Sequence, residues 1–76
     1  MKKGDLITFK NQHRHAGLFA TITCDPYNKP VWGDHPDDIE IASMVRVLLG
    51  PGFGEKSGKF QTFRCTQLRR IASVVR

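Results

Sequence analysis

The sequence predicts one small all-β domain, five short strands closing into a barrel with a single helical turn before the last strand. Three observations predict it. Several stretches alternate apolar and polar side chains with the period of two that a half-buried strand requires. Clusters containing Gly, Pro and Asn punctuate those stretches at short intervals, as turns do. And 76 residues at 39% apolar content fill a single core, in a sheet so small that closure is the physical remedy for its open edges.

The elements follow in chain order. Leu6-Ile7-Thr8-Phe9 is a β-rich run bounded by Gly4 and Asn11, the first strand. Asn11 to Ala16 is polar and reads as a loop. From Gly17 the run LFATITC places Leu18, Ala20, Ile22 and Cys24 on one face and Phe19, Thr21 and Thr23 on the other, the second strand. Residues 25–37 then carry three prolines, a glycine and three aspartates around Tyr27 and Trp32. Proline donates no ladder hydrogen bond, so this segment is expected to be an acidic, aromatic, proline-stiffened loop excursion.

Residues 38–49 hold the longest alternation, with Ile39, Ile41, Ser43, Val45, Val47 and Leu49 on one side. A helix over IEIASMVRVLL is the competing reading; the strict alternation and the Gly50-Pro51-Gly52 that follows favour a strand. GPGFGEKSGK is a Gly-rich hairpin loop, after which Phe60 to Thr66 alternates again. In TQLRRIASVV, Leu68 and Ile71 stand three apart, which suits one helical turn feeding a short closing strand. Most of the five Phe are expected in the core. The whole chain, 1–76, reads as one domain without repeats.

Composition excludes several classes. No apolar run approaches the roughly 18–20 residues a membrane span needs, and the Met-Lys-Lys opening lacks the apolar region of a signal peptide. A cytoplasmic protein is expected, and in a reducing compartment Cys24 and Cys65 are expected to be free, buried thiols. The Gly-rich loop fails the phosphate-loop pattern, because Phe53 stands where the first glycine belongs and Phe60 follows Gly58-Lys59. His13-Arg14-His15 offers two imidazoles but no third or fourth ligand at a recognisable spacing, so no metal is expected. Ser43, Ser57 and Ser73 have no acid or base tied to them. No catalytic residue and no cofactor is expected, and the protein reads as no enzyme.

At this point the residues resemble a family. Lys-x-Gly-Asp-Leu-Ile-x-Phe (2–9) followed by Gly-Leu-Phe-Ala-x-Ile (17–22) is similar to the first two strands of small SH3-like barrels, among them KOW-type modules and small barrel proteins of tailed bacteriophages. The ending Cys65-Thr66-Gln67-Leu68-Arg69-Arg70-Ile71 resembles the short helical turn such barrels place before their last strand. The resemblance is one of fold, and it implies a binding module. KOW-type barrels often bind RNA, DNA, or ribosomal and transcription proteins.

Charge then nominates two surfaces. The net charge of +5 hides an uneven distribution. Lys2, Lys3, Lys10 and Arg14 face only Asp5 in residues 1–24. Asp25, Asp34, Asp37, Asp38 and Glu40 face only Lys29 in residues 25–40. Seven bases face only Glu55 in residues 41–76. Lys2, Lys3, Lys10, Lys56, Lys59, Arg64, Arg69 and Arg70 are the candidates for one basic face that engages nucleic acid or a nucleoprotein complex. Exposed aromatics are not visibly interleaved with them, which weakens a base-stacking reading.

The alternative is a protein-interaction module, such as a phage-encoded modulator of a host protein, acting through Tyr27, Trp32, Asp34, Asp37 and Asp38. Two other readings of the excursion stand beside it. Tyr27 and Trp32 cap the barrel as a small core, or the acidic segment folds onto the basic body and masks it. Oligomeric state is left open.

Overall fold

Residues 1–75 are described by the structure, a computed structural model; Arg76, counted above among the bases, lies outside the described residues. Six strands form, not five: β1 (Leu6–Phe9), β2 (Phe19–Ile22), β3 (Tyr27–Trp32), β4 (Ile39–Leu49), β5 (Phe60–Arg64) and β6 (Ala72–Val74). A 3-10 turn spans Gly54–Lys56, and the helix α1 (Cys65–Ile71) precedes β6. The strands pair antiparallel in the order β3-β4-β2-β1-β6, with β5 also on β4. No helix among the described residues is long and apolar enough to cross a membrane.

The alternation predicted for β1, β2 and the second half of β4 positions the core. Ile7, Phe9, Ala20, Ile22, Val45, Val47 and Leu49 point to one side of the sheet and are buried. Cys65 and Leu68 of α1 close that side, and Ala72 of β6 completes it. Phe53 folds in from the Gly-rich loop to meet Phe9 with ring centroids 5.5 Å apart. That loop is therefore partly a lid on the core. The helical turn foreseen near Leu68 is a seven-residue helix, bringing one residue per turn inward.

The extra strand corrects the reading of residues 25–37 as a loop. Tyr27 to Trp32 pairs with Met44 to Ile39. Pro30 is tolerated because β3 is an edge strand and Pro30 falls at a position whose backbone points away from β4. The phase is set by Gly33, whose N–H donates to Asp38 O at 2.7 Å. Residues 31, 29 and 27 share that phase and bond β4, while 28, 30 and 32 face outward. Between β2 and β3 the chain bulges: four residues, 23 to 26, oppose only Val45 and Arg46. The bulge is held by Arg46, whose carbonyl accepts from Thr23 N–H and Oγ at 2.9 and 3.0 Å and whose N–H donates to Cys24 Sγ at 3.4 Å.

β3 and the first half of β4 thus form a two-stranded ribbon that runs past the core, and the protein is 39 Å long but only 22 by 21 Å across. Ile39 and Ile41 continue the phase of Val45 to Leu49, yet both are exposed, because nothing of the core lies under them. Trp32 is 65% exposed, so the aromatics do not cap the core as a small cluster of their own. Two of the five Phe also leave the expected core: Phe19 and Phe60 are exposed on the outer face of the sheet. Both sit in the polar phase of their strands, with Thr21 and with Thr62 and Arg64.

Candidate nucleic-acid interface

The strand directions sort the charges by end. β1 carries the chain away from Asp5 to Lys10, β4 runs from the ribbon to Leu49, and α1 returns to the same end as Lys10. Lys10 N–H donates to Ile71 O at 2.8 Å, and Lys10 Nζ donates to Arg69 O at 3.2 Å. Lys59 lies at this end too, its carbonyl accepting from Leu49 N–H at 3.0 Å. This loop end therefore gathers Lys10, Arg14, Lys56, Lys59, Arg69 and Arg70, with Glu55 as its acid among the described residues.

The first loop is shaped by a run of turns. His13 N–H donates to Lys10 O, Ala16 N–H to His13 O and Leu18 N–H to His15 O, at 2.9 to 3.1 Å. His15 N–H also donates to His13 Nδ1 at 3.2 Å. The imidazoles lean on the core's aromatic lid. His13 stacks on Phe9 at 5.1 Å, and His15 lies 4.9 Å from Phe53. Partial burial against that lid, with the neighbouring charges of Arg14, His13 and Lys56, holds the His15 pKa below its ordinary value of 6.5.

Between this loop and α1 opens a groove of about 660 Å³, walled by Lys10, Asn11, Gln12, His13, Gln67 and Arg70 over Ile71. A smaller hollow of about 180 Å³ adjoins it through His13 and Gln67 and brings in Arg14, His15 and Lys56. No carboxylate lines either one. The groove thus offers cations and carboxamides, the first for phosphate oxygens and the second for base edges.

Comparison with known protein families, curated proteins and solved structures finds no match for the chain.

The eight bases proposed from sequence do not share one face. Lys10, Lys56, Lys59, Arg69 and Arg70 come together at the loop end. Lys2 and Lys3 stand at the opposite end of β1, where Lys3 N–H donates to Asp25 Oδ1 at 3.1 Å and Lys2 N–H to Asp5 Oδ2 at 3.0 Å. Arg64 lies midway, its Nη1 3.7 Å from Glu40 Oε1. The acidic segment does not fold over the basic loop end. Asp34, Asp37, Asp38 and Glu40 lie along the ribbon and Asp25 at its base against Lys3, so the bases of the loop end and most of the acids stand at opposite ends.

Several residues of this end were not singled out in sequence. Arg14 was a base in a loop with no phase to read. Phe60 follows Lys59 and pairs with Leu48 on the outer sheet face, and Phe19 sits beside Gly50 on the same face. Their signal was available, since each falls in the polar phase of an alternating run. Two exposed aromatics thus stand at the loop end, on the outer face of the sheet. Among the described residues no three His, Cys, Asp or Glu side chains come together as a metal site would need.

Proposed function

We propose that this protein is a non-enzymatic binding module of the SH3-like barrel type that engages single-stranded nucleic acid, free or within a nucleoprotein complex, through its loop end. The barrel reading is supported by the strand order, by the single core between sheet and α1, and by the helix placed before the last strand. The observation that carries the function is the gathering of six bases at the loop end, where Lys10 and Arg70 line a carboxylate-free groove and Arg14 and Lys56 its adjoining hollow, with Phe19 and Phe60 exposed at the same end on the outer face of the sheet. Bases of this density draw phosphates by releasing condensed counterions. Exposed aromatics at the same end add sequence-tolerant stacking on unpaired bases, which the interior of a duplex does not offer.

Fluorescence anisotropy against single-stranded and duplex oligonucleotides across a salt series tests the reading. With all six bases on phosphates, the log–log salt slope is about −4 for a single strand, and neutralising Arg14, Lys56 and Arg70 together reduces it by about 2. Lys2→Gln with Lys3→Gln leaves the slope unchanged. Absence of binding to either nucleic acid at low salt overturns the proposal.

A further inference from the structure

The ribbon at the other end has an apolar face, an open edge and a rim of acids, and from these we infer that it binds a partner protein by strand addition. The segment it takes is extended, and alternates apolar with basic residues. Cross-strand pairing puts Trp32 opposite Ile39 and Pro30 opposite Ile41, so all four side chains share one face. Trp32, Ile39 and Ile41 are 65%, 50% and 63% exposed. An apolar row of this size, raised on a projecting ribbon rather than scattered, is the form an interaction surface takes.

The edges decide how a partner approaches. The outer edge of β3 is blunted, because Pro30 faces it without an N–H. The other edge is β4's. There β5 ends at the pair Met44–Arg64 and the chain turns into α1 at Cys65. Ile39 and Ile41 lie beyond that last pair, and by the ladder phase their N–H and C=O groups point away from β3 into the space β5 has vacated. A strand laid along this edge continues the line of β5, and its residues opposite Ile39 and Ile41 extend the Trp32 face.

Charge selects the intervening residues. The opposite face holds Glu40, with Asp38 in the same phase, and Asp34 and Asp37 cross the tip; Lys29 and Arg64 are the bases on that face. The three tip aspartates have no Lys or Arg within the turn. Lys or Arg at alternate positions of the partner meets them, whereas a second copy of the ribbon brings like charges together. A foreign basic segment is therefore the occupant.

Trp32 is the sole tryptophan of the chain, so its emission reports this face directly. The probes are two synthetic peptides with identical alternating Val and Ile positions, one with Lys and one with Glu between them, and a Lys peptide N-methylated on its pairing edge. The Lys peptide should shift Trp32 emission to the blue saturably, and the Glu and N-methylated peptides should not. Ile41→Asn should weaken the Lys peptide about tenfold or more, the equivalent of one lost buried isoleucine. Because Ile41 is exposed, circular dichroism should show the variant folded; Asp37→Asn with Asp38→Asn supplies a second, purely electrostatic test. No saturable shift with the Lys peptide overturns the inference, as does equal binding of the Glu or N-methylated peptide. A blue shift that grows with protein concentration alone assigns the face to a second copy and also overturns it.

Discussion

Replacing Leu68 with alanine removes the large side chain by which α1 is seated, and the structure sets the size of the loss. Leu68 is fully buried among residues of β1, β2 and β4. Those strands are locked in register with one another, so they have little freedom to move into the space left behind. α1 has seven residues and can tilt inward, recovering part of the contact. Leu→Ala changes at such sites cost about 3–5 kcal/mol, the lower figure applying where the site partly collapses; we expect about 3 kcal/mol here. A chain of this length has roughly 4–11 kcal/mol in total, so the variant loses a large share of its stability, and its Tm falls by roughly 12–24 °C. Urea unfolding followed by far-UV circular dichroism measures this, with Gln67→Ala as the neighbouring exposed control, expected within about 0.5 kcal/mol of the parent. If Leu68→Ala costs less than about 1 kcal/mol, or no more than Gln67→Ala, α1 is not seated as described. Since α1 carries Gln67, Arg69 and Arg70, the groove would lose its wall as well.

Two further outcomes follow from the same packing. Gly50→Ala should destabilise by roughly 1–3 kcal/mol in the same unfolding assay, because an added Cβ would stand 2.7 Å from Phe19 O, a backbone atom that cannot step aside. The lowered His15 pKa means that the unfolded chain binds the proton more tightly than the folded one. Stability from this group is then fully present above pH 6.5, the unfolded value, and is lost as pH falls through the lower folded value. Phosphate beside Arg14 and Lys56 offsets the charges that depress it and raises the His15 pKa in the complex, so nucleic-acid affinity should rise as pH falls toward the lowered value of the free protein and level off below it. His15→Gln should flatten both profiles, measured by urea titration and anisotropy between pH 5 and pH 8, a range spanning the ordinary imidazole pKa.

Much of the sheet was legible because β1, β2 and the core half of β4 are half-buried strands, in which period two records which side is wet. α1 was legible from the Leu68–Ile71 spacing ahead of a short β-rich end. β3 was not, because its prolines and turn residues argue against a strand unless it lies on an edge in one particular phase. That phase is a property of the pairing partner and of the four-residue bulge at 23 to 26. Ile39 and Ile41 show the converse: a periodic signal persisting where no core lies beneath it.

Charge was legible as segments but not as surfaces. Lys3 and Lys10 are close in sequence, yet the four residues of β1 between them span about 13 Å and deliver them to opposite ends. Lys10 and Arg69, distant in sequence, meet because α1 runs back beside the first loop. Phe19 and Phe60 were misjudged on composition, although the phase of each strand placed them outside.

The proposed contact puts nucleic acid on the loop end and not on the ribbon. A nitrogen-15 amide spectrum recorded during titration with a short single-stranded oligonucleotide locates the contact residue by residue. Shifts are expected at Lys10, Arg14, Lys56, Lys59, Phe60, Arg69 and Arg70, with unmoved amides from Asp34 to Ile41. Shifts concentrated on the ribbon, or on Lys2 and Lys3, or no shifts at low salt, would contradict it.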